Sequence, residues 1–212
     1  MYQIGLFPLN LIIFPESFYP LHIFENRYKR LVKETIKNEG FFGINYISNT
    51  KMFEIGTLVE VTEVVKEYPD GRMDIVIYGK ERYILERLVE GEKPFFLGEC
   101  EKYSDEHFDF DISLLMELIV MYNQIVEGVF GLKFEKITIN DISNITASFF
   151  IAQKAGLEFY DKQKLLEMKS ENDRLEFLYK HIKKILPSIK KAESIKQIIQ
   201  NDGYLKPNDF KL

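Results

Sequence analysis

Ile4-Gly5-Leu6-Phe7-Pro8-Leu9-Asn10-Leu11-Ile12-Ile13-Phe14-Pro15, followed after three intervening residues by Tyr19-Pro20-Leu21-His22-Ile23-Phe24, opens the chain with apolar runs punctuated by proline. Proline lacks the backbone N–H that a sheet ladder needs, so these runs read as short edge or bulged strands, not as one continuous central strand. Residues 25–37 then read as an amphipathic helix. Tyr28, Leu31, Val32, Thr35 and Ile36 line one face, Arg27, Lys29, Arg30, Lys33 and Glu34 lie largely on the other, and Gly40 is the expected stop.

Working outward, residues 41–47 and 58–68 read as strands, the second alternating apolar and charged positions. Pro69-Asp70-Gly71 supplies a hairpin turn in which glycine can take positive φ, and residues 73–78 form the return strand. Two further strands are expected at residues 82–89 and 95–103. The composition then changes. Of seven prolines, three lie in the first twenty residues and none between Phe95 and Leu186, and eight of twelve glycines precede residue 110. A turn-rich half therefore meets a helix-compatible half.

In that second half Asp105, Glu106, Asp109 and Asp111 precede a helical repeat of Ile112, Leu115, Ile119, Tyr122, Val126 and Val129. Acids there suit the positive end of a helix dipole. Further helices are expected over residues 141–155, 162–168 and 171–186, with Pro187 closing the last and residues 188–200 adding another. Ser170-Glu171-Asn172-Asp173 has the form of a capping box, and Leu175, Leu178, Ile182 and Ile185 form the stripe behind it.

Composition excludes several classes. The 212 residues include 18 Phe and 12 Tyr and are 46% apolar, which provides a real core and rules out a disordered chain. A net charge of −5 gives no bulk field for nucleic acid. Within it, residues 1–110 carry 13 Lys+Arg against 19 Asp+Glu, whereas residues 111–212 carry 15 against 14. The single Cys100 excludes an internal disulfide and a cysteine zinc site, and its place in a predicted strand suits a small buried thiol. No segment reaches the ~18 apolar residues needed to span a bilayer. The start, residues 1–15, has no basic region and is cut by Pro8 and Pro15, so the expected location is the cytoplasm.

Catalytic patterns are missing: there is no G-x-S-x-G elbow, H-E-x-x-H or G-x-G-x-x-G. His22, His107 and His181 stand far apart and read as structural. His107 with Asp105, Asp109 and Asp111 lacks the glycine and terminal Glu of a calcium loop and reads as a solvated linker. Asp70 and Asp74 read as surface charge.

Two sets of segments carry a family resemblance. The run from Ile4 to Pro15, continued by Tyr19-Pro20-Leu21-His22-Ile23-Phe24-Glu25 and Arg27-Tyr28, resembles the opening of the Lon protease N-terminal, substrate-binding domain. Gly56-Thr57-Leu58-Val59-Glu60-Val61, Pro69-Asp70-Gly71-Arg72 and Gly79-Lys80-Glu81-Arg82-Tyr83 keep that family's order. Asp161 to Met168 and Asn172 to Leu178 resemble its helical half, so the likeness covers residues 4–186. It implies an α+β chain: an N-terminal PUA-like β pseudobarrel with one packed helix over residues 1–106, a C-terminal α-helical bundle over residues 107–200, and a tail over residues 201–212.

The resemblance further implies a face that meets polypeptide, mapping here to Phe24, Glu25, Arg27 and Arg30. Arginine can hold a carboxylate bidentately, and an adjacent aromatic gives an unfolded chain an apolar surface to cover. Asp161, Lys162, Gln163 and Arg174 are assigned to helix capping and interhelix contacts. Asn26, where a charged residue is expected, and the stretch after Pro187 depart from the family pattern.

Full Lon proteases add an ATPase module with a G-x-x-x-x-G-K-[ST] loop and a Ser-Lys peptidase module. The one Gly-Lys pair here, Gly79-Lys80, is followed by Glu81, and the length leaves no room for either module. The expectation is a stand-alone, non-enzymatic module for unfolded or tagged polypeptides that serves as an adaptor or regulator of proteolysis. It would use no cofactor or metal, work beside a protease or ATPase, bind no nucleic acid or membrane, and exist as a monomer or weak dimer. The alternatives are a PUA-like RNA or small-ligand module and, less favoured, an unrecognised hydrolase.

Overall fold

The computed structural model describes residues 1–49, 51–107, 109–130, 136–142 and 146–201. Six strands come first: β1 (Tyr2–Leu6), β2 (Phe18–Ile23), β3 (Phe42–Ser48), β4 (Lys51–Glu67), β5 (Met73–Val89) and β6 (Phe96–Lys102), with helix α1 (Asn26–Lys37) between β2 and β3. Four helices follow: α2 (Ile112–Phe130), α3 (Ala147–Lys154), α4 (Phe159–Glu167) and α5 (Glu171–Asn201), with a 3₁₀ turn at Ile139–Ile142.

The strand order is β2-β5-β4-β3-β1-β6, and β6 also pairs with β5, so the sheet closes on itself. The N-terminal half of β5 pairs with β2, from Tyr78↔Phe18 to Met73↔Ile23. Its C-terminal half pairs with β6, from Tyr83↔Lys102 to Val89↔Leu97. This exchange of partners joins into one strand the two that residues 73–78 and 82–89 suggest. Between the halves lies Gly79, whose N–H donates to Ser17 O at 2.9 Å while its carbonyl accepts from Glu16 N at 2.7 Å. A Cβ on Gly79 would run into the Phe14 carbonyl, so only glycine lets the Phe14-to-Ser17 turn close on β5 here.

The proline-punctuated opening is not all edge. β1 lies inside the ring, parallel to β3 and antiparallel to β6, and Pro8 and Pro15 lie outside it. Only β2, with Pro20 inside it, pairs on one side alone among the described residues. β4 begins at Lys51, well before residue 58, because Met52 and Lys51 hairpin back onto Ile47 and Ser48 beyond a bulge. Gly71 takes φ +79°, the positive angle expected for the Pro69-Asp70-Gly71 turn.

Three apolar clusters form. Inside the closed ring sit Leu6, Leu58, Tyr83, Leu85 and the fully buried Cys100. Burial raises the Cys100 thiol pKa to about 12, which leaves it protonated and inert near neutrality. A second cluster packs Tyr28, Leu31 and Val32 of α1 against Ile23, Val59, Ile75 and Ile77. The third crosses from strands to helices, joining Ile12, Phe14, Tyr46 and Ile55 to Leu115, Ile119, Phe149, Leu165, Leu175 and Leu178.

Helix ends differ from expectation in instructive ways. α1 stops because Glu39, not Gly40, takes a left-handed conformation, φ 46°. The helix expected over residues 141–155 divides into the 3₁₀ turn, closed by Asp141 accepting from Thr138 N and Oγ1 at 2.7 Å, and α3. α4 starts at Phe159 on the Glu158 cap, not at Lys162. Ser170 caps α5 by accepting from Asp173 N at 3.2 Å. α5 then runs through Pro187 as one helix instead of ending there. Pro187 and Lys183, whose carbonyl loses its partner, are both exposed, so water can take up the carbonyl. Ile112 of the expected α2 stripe is exposed, and Val129 lies outside the described side chains.

Candidate functional site

β2 alternates cleanly. Tyr19, Leu21 and Ile23 face α1, and Phe18, Pro20 and His22 face solvent, which carries Phe24 outward directly after the buried Ile23. Phe18 is 63% and Phe24 61% exposed, among the most exposed large apolar side chains. The register sets Phe18 opposite Tyr78, Pro20 opposite Val76 and His22 opposite Asp74, forming one outward strip on two strands.

The strip is ordered by its own contacts. The Phe18 and Tyr78 rings lie 4.8 Å apart. His22 Nδ1 donates to Asp74 Oδ1 at 2.6 Å and Tyr68 Oη donates to Asp74 Oδ2 at 2.8 Å. These two hydrogen bonds, His22 first, hold the Asp74 carboxyl below the usual carboxylate range. The His22 ring packs against Phe24 at 6.2 Å and edge-on to Tyr68 at 5.9 Å. Lys66 and Arg72 lie over the Tyr68 ring at 4.5 and 5.0 Å, and Lys80 lies over Tyr78 at 5.5 Å. Arg72 and Lys80 are also paired, with Asp70 and Glu60.

The four residues singled out from the sequence do not converge. Phe24 belongs to this strip. Glu25 and Arg27 pair with each other at 2.8 Å, and the Arg27 guanidinium stacks on Tyr28 at 4.5 Å. Arg30 pairs with Glu34 at 2.9 Å, and Glu34 also takes Lys93 at 2.6 Å. Lys93 and then Arg30 hold the Glu34 carboxyl below its ordinary value. Both arginines are therefore already engaged by this chain's own carboxylates. Phe18, Pro20, His22, Tyr68, Val76 and Tyr78 were not singled out, although the period-two series Phe18-Pro20-His22-Phe24 was a signal that could have found the β2 side.

A different group of charges is buried. Asp105, read as part of a solvated linker, binds the fully buried Arg174 at 2.5 Å and also Arg82 of β5. Arg174 takes Glu171 at 2.7 Å and Ser148 Oγ at 2.8 Å, so α3, α5, β5 and the chain before α2 meet at one guanidinium. Burial alone would raise the Asp105 pKa, but Arg174 and then Arg82 outweigh it and hold the carboxyl below its ordinary value. Arg174 makes the interhelix contact expected of it, donates as well to the carbonyl of Met168, the C-cap residue of α4, at 2.8 Å, and is beyond that the hub of this cluster.

Of the remaining histidines, His181 Nε2 meets the Ala155 carbonyl at 3.0 Å, and His107 N donates to the Lys169 carbonyl at 3.3 Å. Among the described residues no group of three or more His, Cys, Asp or Glu side chains could hold a metal ion. Nor is any helix there long and apolar enough to cross a membrane.

A closed strand ring with one packed helix, followed by helices sharing its core, is the fold of Lon N-terminal domains. The crystal structure of a Lon N-terminal domain protein from Xanthomonas campestris superposes with a TM-score of 0.65 at 20% identity, covering 84% of this chain and 97% of that one. The N-terminal domain of the Mycobacterium avium complex Lon protease gives 0.68 at 15% identity, covering 86% and 98%. The chain belongs to the family of the ATP-dependent protease La (LON) substrate-binding domain, whose sequence model matches residues 3–184. Lon protease of Cytophaga hutchinsonii is 25% identical over 215 residues, covering 95% of this chain, as is that of Amoebophilus asiaticus, covering 94%. The chain spans about a quarter of the length of these curated relatives, 26% in each case.

Proposed function

We propose that the chain is a non-enzymatic module that binds unfolded or tagged polypeptide through the outward strip of β2 and β5. The observation that carries this reading is the pair of solvent-facing phenylalanines, Phe18 and Phe24, held by neighbours on a rigid sheet. An aromatic strip beside an open strand edge suits an extended apolar segment, since rings give large contact area at low conformational cost. Arg27 and Arg30, on the helix that packs against the other face of β2, enter this proposal only as secondary contacts, available to a client carboxylate by exchanging Glu25 and Glu34. The stacked and paired cations around Tyr68 and Tyr78 favour protein over nucleic acid, because phosphate needs free basic groups. The family assignment supports polypeptide binding; a role as an adaptor or regulator of proteolysis in the cytoplasm, beside a protease or ATPase and as a monomer or weak dimer, is the further part of the proposal. In that arrangement the PUA-like β part carries recognition and the helical bundle supports it.

The test is a titration of a fluorescently labelled, reduced and carboxymethylated protein, which cannot refold, against the chain without ATP. Binding without cleavage is expected. Phe18→Ser with Phe24→Ser should weaken it at least about tenfold with no fall in thermal midpoint, because neither ring is buried. Undiminished affinity in that variant would sink the assignment, and cleavage lost on replacing a single Ser or Lys would sink the non-enzymatic reading.

A further inference from the structure

Helix α2 carries more apolar surface than its neighbours cover. Leu115, Leu118, Ile119, Tyr122 and Val126 are buried in the core shared with α5. Ile112, Met116 and Val120, four apart and so aligned along the helix, are instead 53%, 46% and 54% exposed. Phe110, just before the helix, is exposed as well. The start of the stripe is fixed, since Asp111 N donates to Asn172 Oδ1 of α5 at 3.0 Å.

Charge identifies what would cover it. The α2 sequence, ISLLMELIVMYNQIVEGVF, contains no Lys or Arg. Asp109, Asp111 and Glu117 border the stripe and have no ion-pair partner among the described residues. Acids to either side of this region are neutralised within the chain, Glu106 by Lys169 at 2.8 Å and Glu127 by Lys136 at 3.1 Å. We propose that the stripe docks a basic amphipathic helix of another protein, with that helix's apolar face on Ile112, Met116 and Val120 and its Lys or Arg residues at Asp109, Asp111 and Glu117. A second copy of this chain fits worse, because two paired α2 stripes would set one all-acidic rim against another. The surface is separate from the β2 strip and does not rest on it.

The probe is a synthetic helical peptide of Leu and Lys with its leucines on one face. Its controls are a scrambled peptide of the same composition and an analogue with Glu in place of Lys, all titrated by fluorescence anisotropy. The Leu–Lys helix should bind at least about tenfold more tightly than either control. Met116→Ser with Val120→Ser should remove that margin without lowering the thermal midpoint. Glu117→Lys should weaken the Leu–Lys helix and strengthen the Leu–Glu one, whereas Phe18→Ser with Phe24→Ser should change neither. Equal binding of all three peptides, or insensitivity to the α2 substitutions, would overturn the proposal. So would a concentration-dependent dimer of the unmodified chain that Met116→Ser with Val120→Ser abolishes.

Discussion

Asp105 shows how much one carboxylate can hold together. It sits between two arginines, one on β5 and one on α5, and the neighbouring Glu171 completes a group of two positive and two negative charges with Arg174 almost entirely out of water. A buried set of this kind is costly to assemble and costlier to break, because removing one member leaves an uncompensated charge. Asp105→Asn is expected to lower stability by about 3–5 kcal/mol, measured by urea unfolding at pH 7. The same residue fixes the sign of a pH effect. Its folded pKa is depressed, so the stability it contributes is present above its unfolded pKa, about 4, and is lost as pH falls through the lower folded value. The unmodified chain should therefore lose stability steeply below about pH 4, and in Asp105→Asn that part of the slope should be shallower. An unchanged acid limb would show that Asp105 is not the group responsible.

At the scale of elements, what was legible in the sequence was local turn and cap chemistry. The Gly71 turn and the Ser170 cap each rest on residues within a few positions of one another, and each took the expected form; the alternation expected over residues 58–68 did not, since residues 55–59 are buried in succession and Val64 and Val65 are both exposed. The Asp105 cluster was not legible, because its hydrogen bonds span 23 and 69 residues and no periodicity connects Arg82, Asp105 and Arg174. The candidate strip was half legible. Phe24 was identified, but the members of the strip on the facing strand, Asp74, Val76 and Tyr78, come from the β2–β5 register, which depends on β5 exchanging partners at Gly79. The end of α1 carries a prediction of its own. Glu39 holds φ 46° with no side-chain ion pair among the described residues, a conformation glycine adopts without the Cβ penalty. Glu39→Gly should raise stability by roughly 0.5–1 kcal/mol in chemical denaturation, and a loss would mean that the Glu39 side chain stabilises the turn in some other way.

For the molecule as a whole, the question is whether strands and helices fold as one unit. A β part and a helical part joined by an acidic linker would be expected to melt separately if only the linker connected them. Three connections argue otherwise. Phe14, from the turn closed on Gly79, stacks on Phe149 of α3 at 5.6 Å within a cluster that also contains Ile12, Tyr46 and Ile55. Glu16, at φ 61°, presents its carboxylate to Thr146 N at 2.6 Å and caps α3 from the strand side. Gln163 of α4 donates to the Ile55 carbonyl of β4 at 3.0 Å. Separating the parts would expose the first contact and leave polar groups at the other two to find water, so a half-unfolded state gains too little entropy to be populated. Heating should therefore give a single transition, with tyrosine fluorescence and helical circular dichroism coinciding and the calorimetric and van't Hoff enthalpies equal. Phe14→Ala removes the ring at the centre of the joint and should cost about 3–5 kcal/mol. The decisive point is that both probes should shift together in that variant; if the helical signal stayed in place while the strand signal moved, the shared core would not be what couples the two parts.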